Sequence, residues 1–142
     1  MAVQPFNKFN CFVEDVAEKK HDLSVDALKV MLTNTPPTAA ATVYTGGLVS
    51  TELGSGAGYT TGGAAPGSRT SAQTGGVYKL ILADVFWTAS GSMGPFRYAV
   101  LYNTTGTTPL IGWWDNGSSV TLANTETFTV DFDATAGVLT LQ

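Results

Sequence analysis

Residues 77–89 read VYKLILADVFWTA, and this stretch decides the fold class. It consists largely of β-branched and aromatic residues, which favour strands. Its pattern predicts one long strand with apolar side chains on both faces, and such a strand needs a covering layer on each side. One face carries Val77, Ile81, Val85 and Trp87, and the other carries Tyr78, Leu80, Leu82 and Phe86.

Further strands are predicted on both sides of this stretch. Asn116-Gly117 is typical of a hairpin turn, and Pro36-Pro37 stops the first strand. Short strands with regular turns predict an all-β fold, an antiparallel β-sandwich, and favour a jelly roll. The length suits one domain, residues 1–142. The other predicted strands are 24–34, 96–103, 110–115, 119–123, 126–132 and the closing VLTLQ.

The first 23 residues contain regularly spaced aromatic residues. Phe6, Phe9 and Phe12 are three positions apart, and Val16 follows at a spacing of four. This spacing predicts a short helix, or an N-terminal arm over 1–23 that docks by its aromatic side chains. The three phenylalanines are therefore candidates for contact with another protein.

A long uncharged segment precedes the strand at 77–89. Residues 54–67 read GSGAGYTTGGAAPG, and 40–53 are predicted to hold one short helix or strand. Eight glycines among residues 54–76 predict an extended loop, which in a compact domain is usually functional. A glycine/serine linker is the alternative, but 35–53 is too short to complete a domain before it.

A phosphate-binding role for this segment fails on its residues. Tyr59 stands where G-x-G-x-x-G requires its last glycine, and no lysine occurs from 30 to 78. We therefore interpret the segment as a contact element, and a charged substitution such as Gly58→Asp is expected to impair assembly more than folding. The contact candidates in it are Gly56, Gly58, Tyr59, Gly62 and Gly63.

Composition argues against several classes of partner. The net charge is −4, and Lys and Arg do not cluster, so a nucleic-acid partner is not expected. No apolar stretch approaches the roughly 18 residues that span a membrane, and no membrane partner is expected. The first residues lack a secretory-signal pattern, and a single cysteine excludes an intrachain disulfide, so synthesis in a reducing cytoplasm is expected.

Candidate chemistry is sparse. His21 is the single histidine and is expected to be a surface or turn residue rather than a general base. Cys11 is expected to be a buried structural thiol. Asp131 and Asp133 begin like a calcium loop, but its glycine comes one place late and Gln142 takes the position of the last glutamate. We expect no enzyme activity, metal or cofactor.

The aromatic residues of the predicted strands allow two interpretations. Trp113 and Trp114, with Trp87, Tyr98 and Tyr102, could form a stacking platform for a sugar. Core and interface positions are favoured, because the neighbouring strand residues are apolar and also need burial. Trp113 and Trp114 are therefore taken as contact candidates.

Taken together, the order of the motifs resembles a known group of proteins. An F-x-x-F-x-x-F arm is followed by HDL, DALKVML, GYTTGG, WTASG, RYAVLYN, LIGWWDNG and GVLTL. Over nearly the whole chain this resembles small structural proteins of tailed bacteriophages, among them capsid decoration (cement) proteins with a jelly-roll fold. The motifs that carry the resemblance are structural rather than catalytic.

The resemblance implies a non-enzymatic virion protein. It would form a homo-oligomer, a dimer or trimer, bind the major capsid protein and stabilise the shell. It would be located on the outer capsid surface after synthesis in the bacterial host. A phage tail or neck protein and a carbohydrate-binding β-sandwich module are the alternatives.

Overall fold

A computed structural model of the chain describes the backbone of residues 1–142 and all side chains except those of residues 46, 47 and 49. The helix α1 spans Cys11–Ala17, and single π-helical and 3-10 turns lie at Tyr44–Leu48 and Val49–Thr51. The strands are β1 (Asn7–Lys8), β2 (Leu28–Thr33), β3 (Arg69–Thr74), β4 (Val77–Leu82), β5 (Val85–Thr88), β6 (Met93–Asn103), β7 (Leu110–Leu122), β8 (Thr127–Val130) and β9 (Leu139–Leu141).

The strands form antiparallel sheets. One sheet has four strands in the order β1-β7-β6-β2, a second has the order β3-β4-β9, and β5 pairs with β8. Every pairing between these strands is antiparallel. The predicted all-β antiparallel sandwich is therefore confirmed, while the jelly-roll strand order stays a prediction.

The four-stranded sheet is covered on both faces by its own chain. Alternate residues of β6 face two different clusters: Leu101 lies in the main core, and Val100 lies in a second core with Phe9, Tyr44 and Leu48. The expected second layer thus comes from the N-terminal segment and the turns after residue 40. Burial of apolar surface at roughly 25 cal/mol per Å² stabilises both layers.

The predicted strand 77–89 is wrong as one element. It breaks at Ala83 and Asp84 into β4 and β5, which belong to different sheets. The Asp84 carboxylate accepts the N–H of Phe132 at 2.9 Å, and this side-chain bond replaces strand pairing at the break. As a result Phe86 is exposed, and Val77 and Ile81 stay half-buried.

The predicted turn at Asn116-Gly117 is also wrong. Residues 110–122 form the single strand β7, and the pair instead lies in a bulge. Tyr98 of β6 pairs with Asp115, and Phe96 pairs with Val120. The stretch of β7 between these two pairs is longer than the matching stretch of β6, so β7 bulges there. Gly117 has a φ of +87°, which fits a bulge as well as a turn.

The predicted loop 54–76 contains a strand that the sequence analysis missed. Residues 69–74 form β3, which joins β4 through Gly75-Gly76 in a two-residue hairpin. Both glycines have positive φ, +61° and +85°, as a type I′ turn requires. The strand was missed because RTSAQT has no apolar face. The first strand begins at Leu28 rather than at residue 24.

Candidate contact surface

The glycine-rich segment lies along the edge of β2 that faces away from β6. Val30 N–H donates to Ala64 O at 2.8 Å, and Ala64 N–H returns a bond to Val30 O at 3.0 Å. Leu53 N–H donates to Leu32 O at 2.8 Å. An uncovered sheet edge is a template for pairing with another chain. Residues 53–64 therefore cover an edge of their own sheet.

A half-buried carboxylate, that of Glu52, holds this cover in place. Glu52 Oε1 accepts the Tyr59 hydroxyl at 2.5 Å and the Gly62 N–H at 2.7 Å, and Oε2 accepts the Tyr44 hydroxyl. The Tyr59 oxygen also accepts the N–H of Leu32 at 3.0 Å. Burial, followed by the Glu52 hydrogen bond, raises the pKa of Tyr59 far above its usual value. The hydroxyl thus stays protonated and able to donate.

A second tyrosine holds the same segment from the other side. The Tyr102 hydroxyl donates to Gly62 O at 2.8 Å, and the Tyr102 ring stacks on Tyr44 with centroids 4.3 Å apart. Burial and the nearby Glu52 charge raise the pKa of Tyr102 to about 12. Together these contacts make Glu52 and its tyrosines a structural network that joins the segment to the four-stranded sheet.

The glycines of the segment allow close backbone approach within the chain. A Cβ at Gly63 would lie 1.9 Å from Val30 O, and one at Gly58 would lie 2.3 Å from Thr88 O. Both residues have positive φ, so a side chain would be strained as well as crowded. The expectation that Gly58→Asp acts mainly on assembly is wrong, because it would disturb folding first.

The other candidates of this segment differ in their exposure. Tyr59 is buried in the main core, so it does not form a contact surface. Gly62 is half-buried beside Lys29 and Tyr102. Gly56 is exposed, with open space where a side chain would lie. Of the five predicted residues, Gly56 thus best retains the predicted contact role.

The N-terminal aromatic residues mostly pack inward. Phe9 and Phe12 are 0% and 1% exposed, so they are core residues and not contact residues. Phe6 is half-buried, with its ring centroid 5.4 Å from that of Trp114. The pairing of β1 with β7, followed at once by α1, turns these rings onto the sheet.

The two tryptophans do not share a face. Trp114 is buried in the main core, and Trp113 is half-buried with its ring 4.6 Å from Phe9. Successive strand residues point to opposite sides of a sheet, which explains this separation. Trp114 is therefore not a contact residue, and the pair does not present one flat stacking surface.

His21 is buried, so its prediction as a surface residue is wrong. The Asn103 amide donates to His21 Nδ1 at 3.3 Å and to Asp26 at 2.5 Å. An accepting Nδ1 places the ring proton on Nε2, which has no hydrogen-bond partner among the described residues. Burial lowers the pKa of His21, although the carboxylates of Asp15 and Asp26 oppose this.

Cys11 has the properties of an unreactive thiol. Its Sγ lies 3.6 Å from Ala41 O and 3.5 Å from Thr42 O, and the side chain is half-buried. Burial, followed by the negative charge of Asp15, raises its pKa to about 11. A nucleophilic cysteine needs the opposite shift, so Cys11 and His21 do not form an activated pair.

The aspartates that resemble a calcium loop serve a turn. Asp133 Oδ1 accepts the N–H groups of Thr135 and Ala136, each at 2.7 Å, and these bonds lower the pKa of Asp133. Asp131 is exposed. Within the described residues, no three His, Cys, Asp or Glu side chains are placed to hold a metal ion.

Two edges of the three-stranded sheet remain open. Within the described chain, β3 and β9 each pair only with β4. A groove of about 560 Å³ runs beside β9, and a second cavity of about 570 Å³ adjoins it at Val16 and Leu141. The apolar residues lining the first groove include Phe6, Phe12, Val13, Val16, Leu139 and Leu141.

Among the large apolar side chains of the described residues that are more than half exposed, only Val13 lines the groove. Phe86 is 64% exposed on β5, Val13 is 56% exposed on α1, and Val25 is 69% exposed before β2. None of the three was predicted to be a contact residue. Phe86 is exposed because the strand breaks after Leu82, and the sequence pattern does not show that break.

No protein-family model, no curated protein and no solved structure matches this chain. None of the helices in the described residues is long and apolar enough to cross a membrane. The features that bear on function are therefore the open edges, the apolar groove and the resemblance of the sequence motifs.

Proposed function

We propose that this chain is a non-enzymatic virion structural protein, a capsid decoration (cement) protein of a tailed bacteriophage. It binds the outer surface of the major capsid protein shell and stabilises that shell. The assignment to a virion comes from the resemblance of the motifs, and the contact mode comes from the surface of the protein.

The observation that carries the proposal is the apolar groove beside the unpaired edge of β9. The edge offers free backbone groups, and α1 supplies apolar side chains such as Val13 and Val16 next to them. An extended segment that adds to a sheet edge gains backbone hydrogen bonds and side-chain pockets together. We propose that an extended segment of the major capsid protein occupies this groove.

The composition suits repeated contact on a shell. Charged residues make up 13% of the chain, against about 25% in a typical soluble domain. A surface with few charges costs less to desolvate at an interface. A shell presents the same site many times, so multivalent attachment makes modest individual contacts effective.

Val13→Lys tests this function against Val25→Lys as a matched control. Both valines are more than half exposed, so neither variant should unfold the protein, but only Val13 lines the groove beside β9. We expect Val13→Lys to weaken binding to purified shells at least about tenfold, or 1.4 kcal/mol. Val25→Lys should bind like the unmodified protein in co-sedimentation.

Electron microscopy of particles provides the second measurement. Particles that lack the protein should lose density from the outer capsid surface and release DNA at lower temperature. Equal shell binding by Val13→Lys, or unchanged surface density without the protein, would contradict the proposal. Density missing from the tail or neck would support the alternative structural role.

A further inference from the structure

The open edge of β3 has a defined set of free backbone groups. Thr74 and Val77 flank a two-residue turn, so they form a hydrogen-bonded pair, and such pairs alternate along an antiparallel ladder. The bond from Ala83 N–H to Ser68 O at 2.9 Å fits the same alternation. The N–H and C=O groups of Ser71 and Gln73 therefore point away from β4.

This edge lacks the features that usually prevent strands from pairing with other chains. Residues 70–76 contain no charge and no proline, and the six pairs with β4 are in regular register. Charged residues, proline, bulges or a covering loop are the common protections of an edge. The edge of β2 has such a cover, whereas β3 has none among the described residues.

We propose that β3 pairs antiparallel with β3 of a second copy of this chain, in a two-fold dimer with a continuous six-stranded sheet. This inference rests on the proposed function for its purpose, since a decoration protein is multivalent when it dimerises. The pairing is centred on Ala72, which lies opposite the partner's Ala72. Ser71 then lies opposite the partner's Gln73 and exchanges two backbone hydrogen bonds with it, and symmetry supplies two more.

The side chains fit this register. The central pair is not hydrogen-bonded, and in such pairs the strands approach most closely, which suits the small side chain of Ala72. Thr70 lies opposite the partner's Thr74, and Thr–Thr pairs stabilise neighbouring strands. The stretch TSAQT is thus nearly self-complementary when read in opposite directions.

Charges do not oppose the dimer. Arg69 lies at the end of the strand, where its guanidinium donates to Asp26 O at 2.5 Å in its own chain. Lys79 on β4 would be three strand spacings, about 14 Å, from its symmetry mate. That separation exceeds the Debye length of about 8 Å at physiological salt.

Symmetry favours β3 over β9 as the self-pairing edge. A β3–β3 contact uses the same surface on both copies and closes at two subunits, whereas β9 pairing with β3 of the next copy would leave an open edge at each end. β3 is also the longer strand, with six residues against three. The β9 groove stays free for the shell.

Charge exchange at position 72 tests the register. Ala72 is exposed, so Ala72→Lys and Ala72→Asp should keep the fold, but each places like charges opposite each other at the centre of the dimer. In sedimentation equilibrium the unmodified protein should have twice the chain mass of 14.8 kDa, and each variant alone should have the chain mass. An equimolar mixture of the two variants should restore the dimer.

Ser118→Lys is the matched control, because Ser118 is exposed on β7 and away from β3. This variant should remain dimeric. A monomeric or trimeric unmodified protein, or dimers of Ala72→Lys as stable as the unmodified ones, would overturn the inference. Shell binding is measured separately: a dimer without shell binding refutes only the proposed function, and monomers that bind shells refute only the dimer.

Discussion

The outer edge of β2 is covered by the chain itself, whereas the outer edge of β3 is not. The β2 edge is covered by residues 53–64, which bond its backbone and are held by Glu52. The β3 edge, formed only five residues later in the chain, carries small polar side chains and has no cover. One glycine-rich region therefore covers the edge of the four-stranded sheet and then forms the uncovered edge strand of the three-stranded sheet.

The difference shows what an edge cover requires. Where the backbone comes closest to the β2 edge a residue without a side chain is needed, and a polar network must satisfy the groups that the approach buries. Gly63 provides the first requirement, and Glu52 with Tyr59 provides the second. An open edge requires neither, so small polar residues suffice for β3.

Gly63→Ala should have the largest effect on the covered edge. Its Cβ would overlap Val30 O, and its φ of +71° is unfavourable for alanine. We expect the free energy of unfolding to fall by at least about 3 kcal/mol, as measured by urea denaturation. Gly67→Ala is the control, with no atom within 4 Å of its Cβ and a change within about 1 kcal/mol. Equal stability of the two variants would show that the cover is not closely packed.

Tyr59→Phe should have an intermediate effect. It removes a donor to Glu52 and leaves the N–H of Leu32 without its acceptor, which costs about 1–3 kcal/mol of unfolding free energy. Tyr98→Phe is the control, because the Tyr98 hydroxyl makes no hydrogen bond to the described residues, and its change should stay within about 0.5 kcal/mol. Urea denaturation curves give the unfolding free energy of both variants. If Tyr59→Phe lost no more of it than Tyr98→Phe, the polar network would not stabilise the cover.

Acidification should have the smallest effect on the free energy of unfolding. The group concerned is His21, which lines the second cavity, next to Leu141 of β9. The pKa of His21 in the folded state lies below the unfolded value of about 6.5. The unfolded state therefore binds the proton more readily, and the free energy of unfolding falls as the pH drops below about 6.5. The slope is at most about 1.4 kcal/mol per pH unit.

The His21→Asn variant isolates this slope. Asparagine keeps a polar atom near Nδ1 but cannot titrate, so its unfolding free energy between pH 7.5 and 5.5 should be flatter. Asp15, Asp26 and Lys20 are the charged groups that act on the His21 ring, and both proteins contain them. Parallel pH profiles would mean that His21 keeps its ordinary pKa when folded.

Much of the fold could be predicted from local patterns. Alternating Phe128 and Val130 marked β8, and the apolar runs marked β4, β6 and the start of β7. Local patterns do not show a feature that depends on a residue far away in the sequence. The break at Asp84 depends on a bond to Phe132, and the bulge at Gly117 depends on pairing with β6.

The contact surface could be predicted less well. Aromatic and glycine residues suggested contacts, but Phe12, Tyr59 and Gly63 pack within the chain. The open strand β3 gave no periodic signal, because neither of its faces is buried. Apolar patterns in the sequence therefore predict core residues. A surface that is free to bind a partner can be identified only once the core residues are known.

The pairing of β1 with β7 also constrains when the chain can fold during synthesis. Asn7 pairs with Trp113, and Leu28 pairs with Asn103, so the first 33 residues have partners far along the chain. The β3–β4 hairpin, in contrast, joins neighbouring residues. Local pairs form before distant ones, so the hairpin can form while the chain is still on the ribosome. The N-terminal segment can pair only after residues 98–113 have been synthesised.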